Sequence, residues 1–240
     1  MLKIGNVSFL NSFPFQYGLT RTKNFQIEML VPSEIAKALE NDTIDVGLVP
    51  VASYIKHPNW QLVSDFCIGA VGEVKTVILV SKKPVLEIET IGYDVDSRSS
   101  NLLFRVLAAH YWKIKPREVA ENADACVMIG DKTFSNLPKE YRFRYDLSLE
   151  WFNFQKLPFA FAVWVSNKKL CSEITDRINE TMMFGVNHIE ESVIRFSKNL
   201  PVTDAEALRY LKENISYPLD SQKKTAIERF AELSFGLDNM

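Results

Sequence analysis

Short apolar runs rich in Val, Ile and Phe alternate with stretches of helical periodicity along the chain. That alternation predicts an α/β protein with largely parallel strands. Strands are expected over residues 3–7, 25–30, 44–50, 60–63 and 75–81. Pro32-Ser33 introduces a helix that runs to about Asn41, with Ser33 as its N-cap and Ile35 and Leu39 on one face. Asn41-Asp42 breaks that helix before the apolar run IDVGLVP.

Near Lys82-Lys83-Pro84 the charge density rises and the core pattern stops. A new unit begins with IETIGYD, and DSRSS then leads into a helix over about 101–112, lined by Leu103, Val106, Leu107 and Tyr111. ADACVMIGD reads as a strand running into a polar turn, and LPFAFAVWVS as a buried strand returning to the first unit. From Lys169 onward the pattern is helical. One long helix is expected to about Ser197, a second opens at Thr203 with a capping box to Glu206, and a third follows from about Asp220. The organisation is a discontinuous lobe, residues 1–84 plus 165–240, with a second lobe, 85–164, inserted. Two lobes joined by two crossings enclose a cleft, where small ligands bind. Such an architecture serves binding proteins and enzymes alike.

Composition narrows the function. The 240 residues are 47% apolar and 24% charged, with a net charge of −2, which gives no basic face for nucleic acid. Cys67, Cys126 and Cys171 are widely spaced in apolar contexts and read as small buried thiols, not as a disulfide framework or a zinc site. The N-terminus enters a strand directly, without a basic then apolar leader. No apolar stretch approaches the roughly 18 residues that span a bilayer, so a cytoplasmic protein without membrane contact is expected.

Four polar clusters sit at strand ends, where open α/β sheets hold ligands. They are Ser8, Asn11 and Ser12; Gly69, Gly72 and Thr76; Ser97, Arg98, Ser99 and Ser100; and Gly130 with Asp131. The serine cluster at a helix start has the clearest physics. Unpaired N–H groups and the positive end of the helix dipole favour a carboxylate or phosphate there. From the residues alone, Asn11 reads first as a turn-stabilising amide and Thr76 first as an ordinary strand residue, while Gly130-Asp131 reads also as a plain turn. His57 precedes a proline in a loop, and His110 and His188 lie in helical patterns, so none reads as a base. GxSxG, HExxH, Walker and GxGxxG motifs are absent, and no metal or cofactor is expected.

Six segments in order, GNVSFLNSFPFQYGL, IDVGLVPVASY, GAVGEVKTVILVS, DSRSSNLLFRVL, ADACVMIGD and YDLSLEW with LPFAFAVWV, resemble the chorismate dehydratases of the futalosine route to menaquinone. The resemblance covers about residues 4–166. It implies a type II periplasmic-binding-protein-like fold with a ligand cleft between two lobes and a helical C-terminal return. It also implies a reaction that removes water from the dianion chorismate to give 3-[(1-carboxyvinyl)oxy]benzoate. Carried over by position, the family's motif asparagine falls on Asn11, and its pocket serine on Thr76, which keeps the hydroxyl but adds a methyl. These two would act near the leaving hydroxyl or enolpyruvyl arm. Ser97, Arg98, Ser99, Ser100, Gly130 and Asp131 would bind substrate, the helix start taking a carboxylate. The family's Thr-Gly before LPF reads Gln155-Lys156 here, a departure expected in the cleft wall. Two other readings stay open: the sister family that makes 1,4-dihydroxy-6-naphthoate with a histidine base, and a non-catalytic cytoplasmic sensor. Oligomeric state is not legible.

Overall fold

A computed structural model describes residues 1–94, 97–135 and 138–237; Asp96, which heads the DSRSS run, lies outside them. β1 (Leu2–Asn6) leads through a 3-10 turn (Leu10–Ser12) into α1 (Phe13–Thr20). Then come β2 (Phe25–Met29), α2 (Pro32–Glu40), β3 (Val46–Pro50) and the short α3 (Val51–Tyr54). β4 (Gln61–Ala70), β5 (Val77–Ser81) and β6 (Thr90–Gly92) precede α4 (Arg98–Val106), which continues as a π-helix (Leu107–Trp112). β7 (Arg117–Glu118), β8 (Ala125–Ile129), β9 (Phe143–Asp146), α5 (Leu147–Gln155) and β10 (Phe159–Ser166) follow. The chain closes with α6 (Ser172–Asn187), α7 (Ile189–Phe196), α8 (Asp204–Glu213), β11 (Ser216–Pro218) and α9 (Ser221–Ser234).

The strands form a six-stranded sheet, β11-β4-β10-β3-β1-β2, and a five-stranded sheet, β7-β6-β8-β5-β9. Both are mixed, not largely parallel. β1 pairs parallel with β2 and β3, but β10 runs antiparallel to β3 and β4. In the second sheet β6 is parallel to β7 and β8, whereas β5 opposes β8 and β9. The reason is the double crossing: β5 and β10 enter their sheets from the cleft side, where the neighbouring strands end. Both are apolar runs lying between two neighbours, and every residue of β5 is buried, as is every residue of β3.

β5, expected in the first lobe, belongs to the second sheet, so sheet membership changes between Ala70 and Val77 and returns between Asp146 and Phe159. The charged run at Lys82-Lys83 marks a surface connection leaving β5, not the crossing itself. Three other expectations are corrected. Val31, extended, precedes α2, with Pro32 rather than Ser33 at its first positions; proline's fixed φ and missing N–H suit that place. The long helix after Lys169 breaks at His188, where φ is −124° and ψ 45° and Nδ1 meets Phe184 O at 2.7 Å. Of the cysteines only Cys67 is buried; Cys171 is exposed and Cys126 intermediate. Burial pushes the Cys67 thiol up to about 12.

The capping box at Thr203 forms as the sequence predicts, and the helix expected from about Asp220 starts with that residue as its N-cap. α1 crosses α6 at very short range through Gly18 and Gly185; a Cβ on Gly185 would stand 1.9 Å from Pro14 O. Phe15 of α1 packs edge-on against Trp164 and Tyr217, with centroids at 5.6 and 5.2 Å. These contacts fix the segment after β1 against the first sheet. Among the described residues no helix is long and apolar enough to cross a membrane.

Candidate functional site

Between the two sheets lies a narrow cavity with about 80 Å³ of room for the centres of water-sized spheres. Val7, Phe9, Leu48, Ile68, Val74 and Phe161 form much of its apolar wall. Its polar side chains are Asn11, Thr76, Ser97, Ser99 and Ser100, and Gly130 adds backbone. No charged side chain is among its described lining residues. In a pocket walled mostly by apolar groups, each hydrogen bond is stronger than in water.

Asn11 sits in the 3-10 turn, not in a free loop. Ser12 Oγ donates to Val7 O and Phe9 O and closes the turn, while Tyr217 Oη donates to Asn11 O at 3.0 Å. Pro14, which the sequence places as a strand terminator, instead stands in the first turn of α1. The Asn11 backbone is therefore held from both sides, and its Oδ1 is buried without a partner among the described residues.

Thr76, 2% exposed, lies one residue before β5 on the crossing segment. Val74 and Lys75 donate their N–H groups to Asp146 Oδ2 at 3.0 and 2.6 Å, and Gly130 N–H donates to Thr76 O at 2.9 Å. Asp146 Oδ1 caps α5 through Ser148 and Leu149 N–H, so one carboxylate ties the crossing to that helix. Burial pushes the Asp146 carboxyl up, and the N–H groups of Leu149, Lys75 and Val74 oppose that shift. Thr76 Oγ1 and Tyr210 Oη share a 2.7 Å hydrogen bond. Tyr210 comes from α8, in the region the sequence left uninformative. Its phenol is pushed far above the ordinary tyrosine value by burial, with Thr76 and Asn11 opposing.

The α4 start divides into distinct roles. Ser97 caps the helix by accepting Ser100 N–H at 3.2 Å and keeps its own proton to donate. Ser99 Oγ donates to Phe161 O at 3.0 Å and accepts Ala52 N–H at 3.2 Å, so its hydroxyl joins the two halves of the molecule. Ser100 is 2% exposed and lines the cavity. Arg98 is exposed and does not line it.

Asp131 likewise stays outside the lining. Its carboxylate accepts Leu10 N–H at 3.3 and 3.4 Å and makes a second bond between the halves. Burial pushes this carboxyl up, and the Leu10 N–H opposes the shift. Gly130 packs its Cα face against the Phe9 ring. The Gln155-Lys156 departure falls away from the cavity, contrary to the expectation of a changed cleft wall. Gln155 accepts from Arg229, and Lys156 ends α5 in the left-handed conformation. None of the three histidines lines the cavity: His57 stacks on Trp60, His110 meets Leu233 O and His188 meets Phe184 O.

The sequence profile of a menaquinone biosynthesis family matches residues 2–235. The chain is 24% identical to the chorismate dehydratase of Thermus thermophilus over 256 aligned residues, 95% of this chain and 93% of that one. It is 25% identical to the chorismate dehydratase of Campylobacter jejuni over 237 aligned residues, 95% of each. Protein AF1704 from Archaeoglobus fulgidus has a TM-score of 0.74 at 14% identity, covering 100% of this chain and 98% of that one. The Candida albicans CA3427 product, described as having the generic periplasmic binding protein fold, has a TM-score of 0.67 at 12% identity, covering 99% and 91%. Two mixed sheets around a cleft are thus the periplasmic-binding-protein-like fold, and the match along nearly the whole chain makes this protein a member of the menaquinone biosynthesis family.

Proposed function

We propose that the protein is a chorismate dehydratase, a carbon–oxygen lyase that converts chorismate to 3-[(1-carboxyvinyl)oxy]benzoate and water. The observation that carries this reading is the meeting of Asn11, Thr76 and the α4 start on one cavity with no charged lining. The two curated relatives are chorismate dehydratases, which supports the reading. In the reaction the C3–H bond breaks, its electrons form the C3–C4 double bond, and the C4–O bond breaks to release the hydroxyl group. The ring becomes aromatic, so much of the driving force belongs to the product.

The protein's part is to hold the reactive conformer and stabilise charge as it develops. Asn11 and Thr76 hydrogen-bond the leaving hydroxyl. The α4 start receives a carboxylate through its N–H groups and the Ser97 and Ser100 hydroxyls. Because the described lining residues offer no ionisable side chain, a substrate carboxylate takes the C3 proton and passes it to the departing hydroxide as water forms. Purified protein incubated with chorismate and followed by chromatography tests the reading. It predicts time-dependent formation of the enolpyruvyl benzoate; binding without conversion would make the protein a sensor, and neither would abandon the substrate.

A further inference from the structure

We propose that Tyr210 sets the hydrogen-bond polarity of the cavity: its phenol donates to Thr76 Oγ1 and so turns the Thr76 proton toward the ligand. Two hydroxyls share the 2.7 Å contact, and one of them must be the donor. Tyr210 is 3% exposed, and Thr76 Oγ1 is its hydrogen-bond partner at 2.7 Å. Burial keeps the phenol protonated, so its proton needs an acceptor inside the protein. Asn11 Oδ1 has no hydrogen-bond partner among the described residues, so it does not receive that proton. If Thr76 donated instead, the phenol proton would be buried with no acceptor among the described residues.

The consequence is a directional set. Tyr210 O–H points to Thr76, and the Thr76 proton is left for the cavity. Asn11 Oδ1, buried without a partner among the described residues, is left as an acceptor beside it. One donor and one acceptor side by side match an alcohol, which accepts through its oxygen and donates its own proton. On the dehydratase reading above, on which this inference rests, that alcohol is the leaving C4 hydroxyl. No proton changes hands at Tyr210; it is a positioning residue acting through Thr76.

The test is a double-mutant cycle of Y210F, T76V and Y210F/T76V in full-length protein, with T76S as the conservative control. Tyr210 packs edge-on against Phe134 at 5.3 Å, and the Y210F variant keeps that ring contact. Y210F should lower kcat by about tenfold to a hundredfold with KM little moved, T76S, which keeps the hydroxyl, should be less impaired than T76V, and Y210F/T76V should be no slower than T76V alone. Y210F within about twofold of wild type, or a loss that multiplies in full with that of T76V, overturns the proposal. A readout independent of turnover is ¹⁹F NMR of 3-fluorotyrosine-labelled protein, with the Tyr210 resonance assigned by its absence in Y210F. If wild type leaves chorismate unchanged, the dehydratase reading fails, and the polarity is judged by that resonance: displaced in T76V, it stands; unmoved, it falls.

Discussion

Gly130 shows how closely the cavity wall is fitted. Its φ of 71° with ψ of −162° is a conformation that essentially only glycine adopts, and a Cβ there would meet the Phe9 ring at 3.2 Å. Gly130→Ala should cost about 1–3 kcal/mol in urea unfolding and press Phe9 into the cavity, raising KM for chorismate. An unchanged midpoint and KM would show that the wall yields. Individual roles were unevenly legible at this scale. Asn11, Thr76, Ser97, Ser100 and Gly130 could be placed at the cleft from their positions in ordered motifs. Ser99 and Asp131 were recognised as polar, but the direction in which they point, toward Phe161 O and Leu10 N–H, depends on the approach of distant strands. Tyr210 carried no local signal at all: a tyrosine on the buried stripe of an amphipathic helix reads as core, and nothing in one sequence links it to Thr76.

Two element contacts decide how the site segments are held. Gly185 of α6 lies against the Pro14 carbonyl of α1, so Gly185→Ala should destabilise the protein by about 3 kcal/mol and lower its melting temperature, because backbone cannot give way as a flexible side chain can. A melting temperature equal to wild type would mean that α1 slides freely on α6. Lys156 ends α5 at a φ of 58°, where the resembling family has glycine. Lys156→Gly should therefore stabilise by about 1 kcal/mol in chemical denaturation, and a loss of stability would contradict that reading of the cap. The elements most legible in the sequence were buried strands such as β3, β5 and β10, whose apolar runs leave no alternative. α1 was hidden because Phe-Pro-Phe resembles the end of a strand, although proline also suits the first turn of a helix. β4 was longer than expected since Ser64 and Asp65 interrupt its apolar run, yet Asn179 of α6 accepts from Ser64 Oγ and Asp65 N–H.

At the scale of the whole molecule, hydrogen bonds join the halves around the cavity, among them Leu10 to Asp131, Ala52 to Ser99, Ser99 to Phe161, and Thr76 with Tyr210. These bonds help hold the halves closed on a cavity with about 80 Å³ of room for water-sized centres. Asp131 makes that closure pH-dependent. Burial raises its pKa above the ordinary 3.8, so the native state holds this proton more tightly than the unfolded chain. Its contribution to stability thus falls as pH rises from the unfolded value through the folded one. Asp131→Asn keeps an oxygen for Leu10 N–H without the charge, and should raise the melting temperature at pH 7 but not near pH 4. An equal change at both pH values would remove Asp131 from the closure. The central claim is that Asn11, held at the cavity, makes this fold a dehydratase. Its most direct test is chorismate turnover by purified wild type and Asn11→Ala side by side, with folding checked by circular dichroism. The account predicts enolpyruvyl benzoate from wild type and none from the folded variant; wild-type rates in the variant, or no product from either, would contradict it.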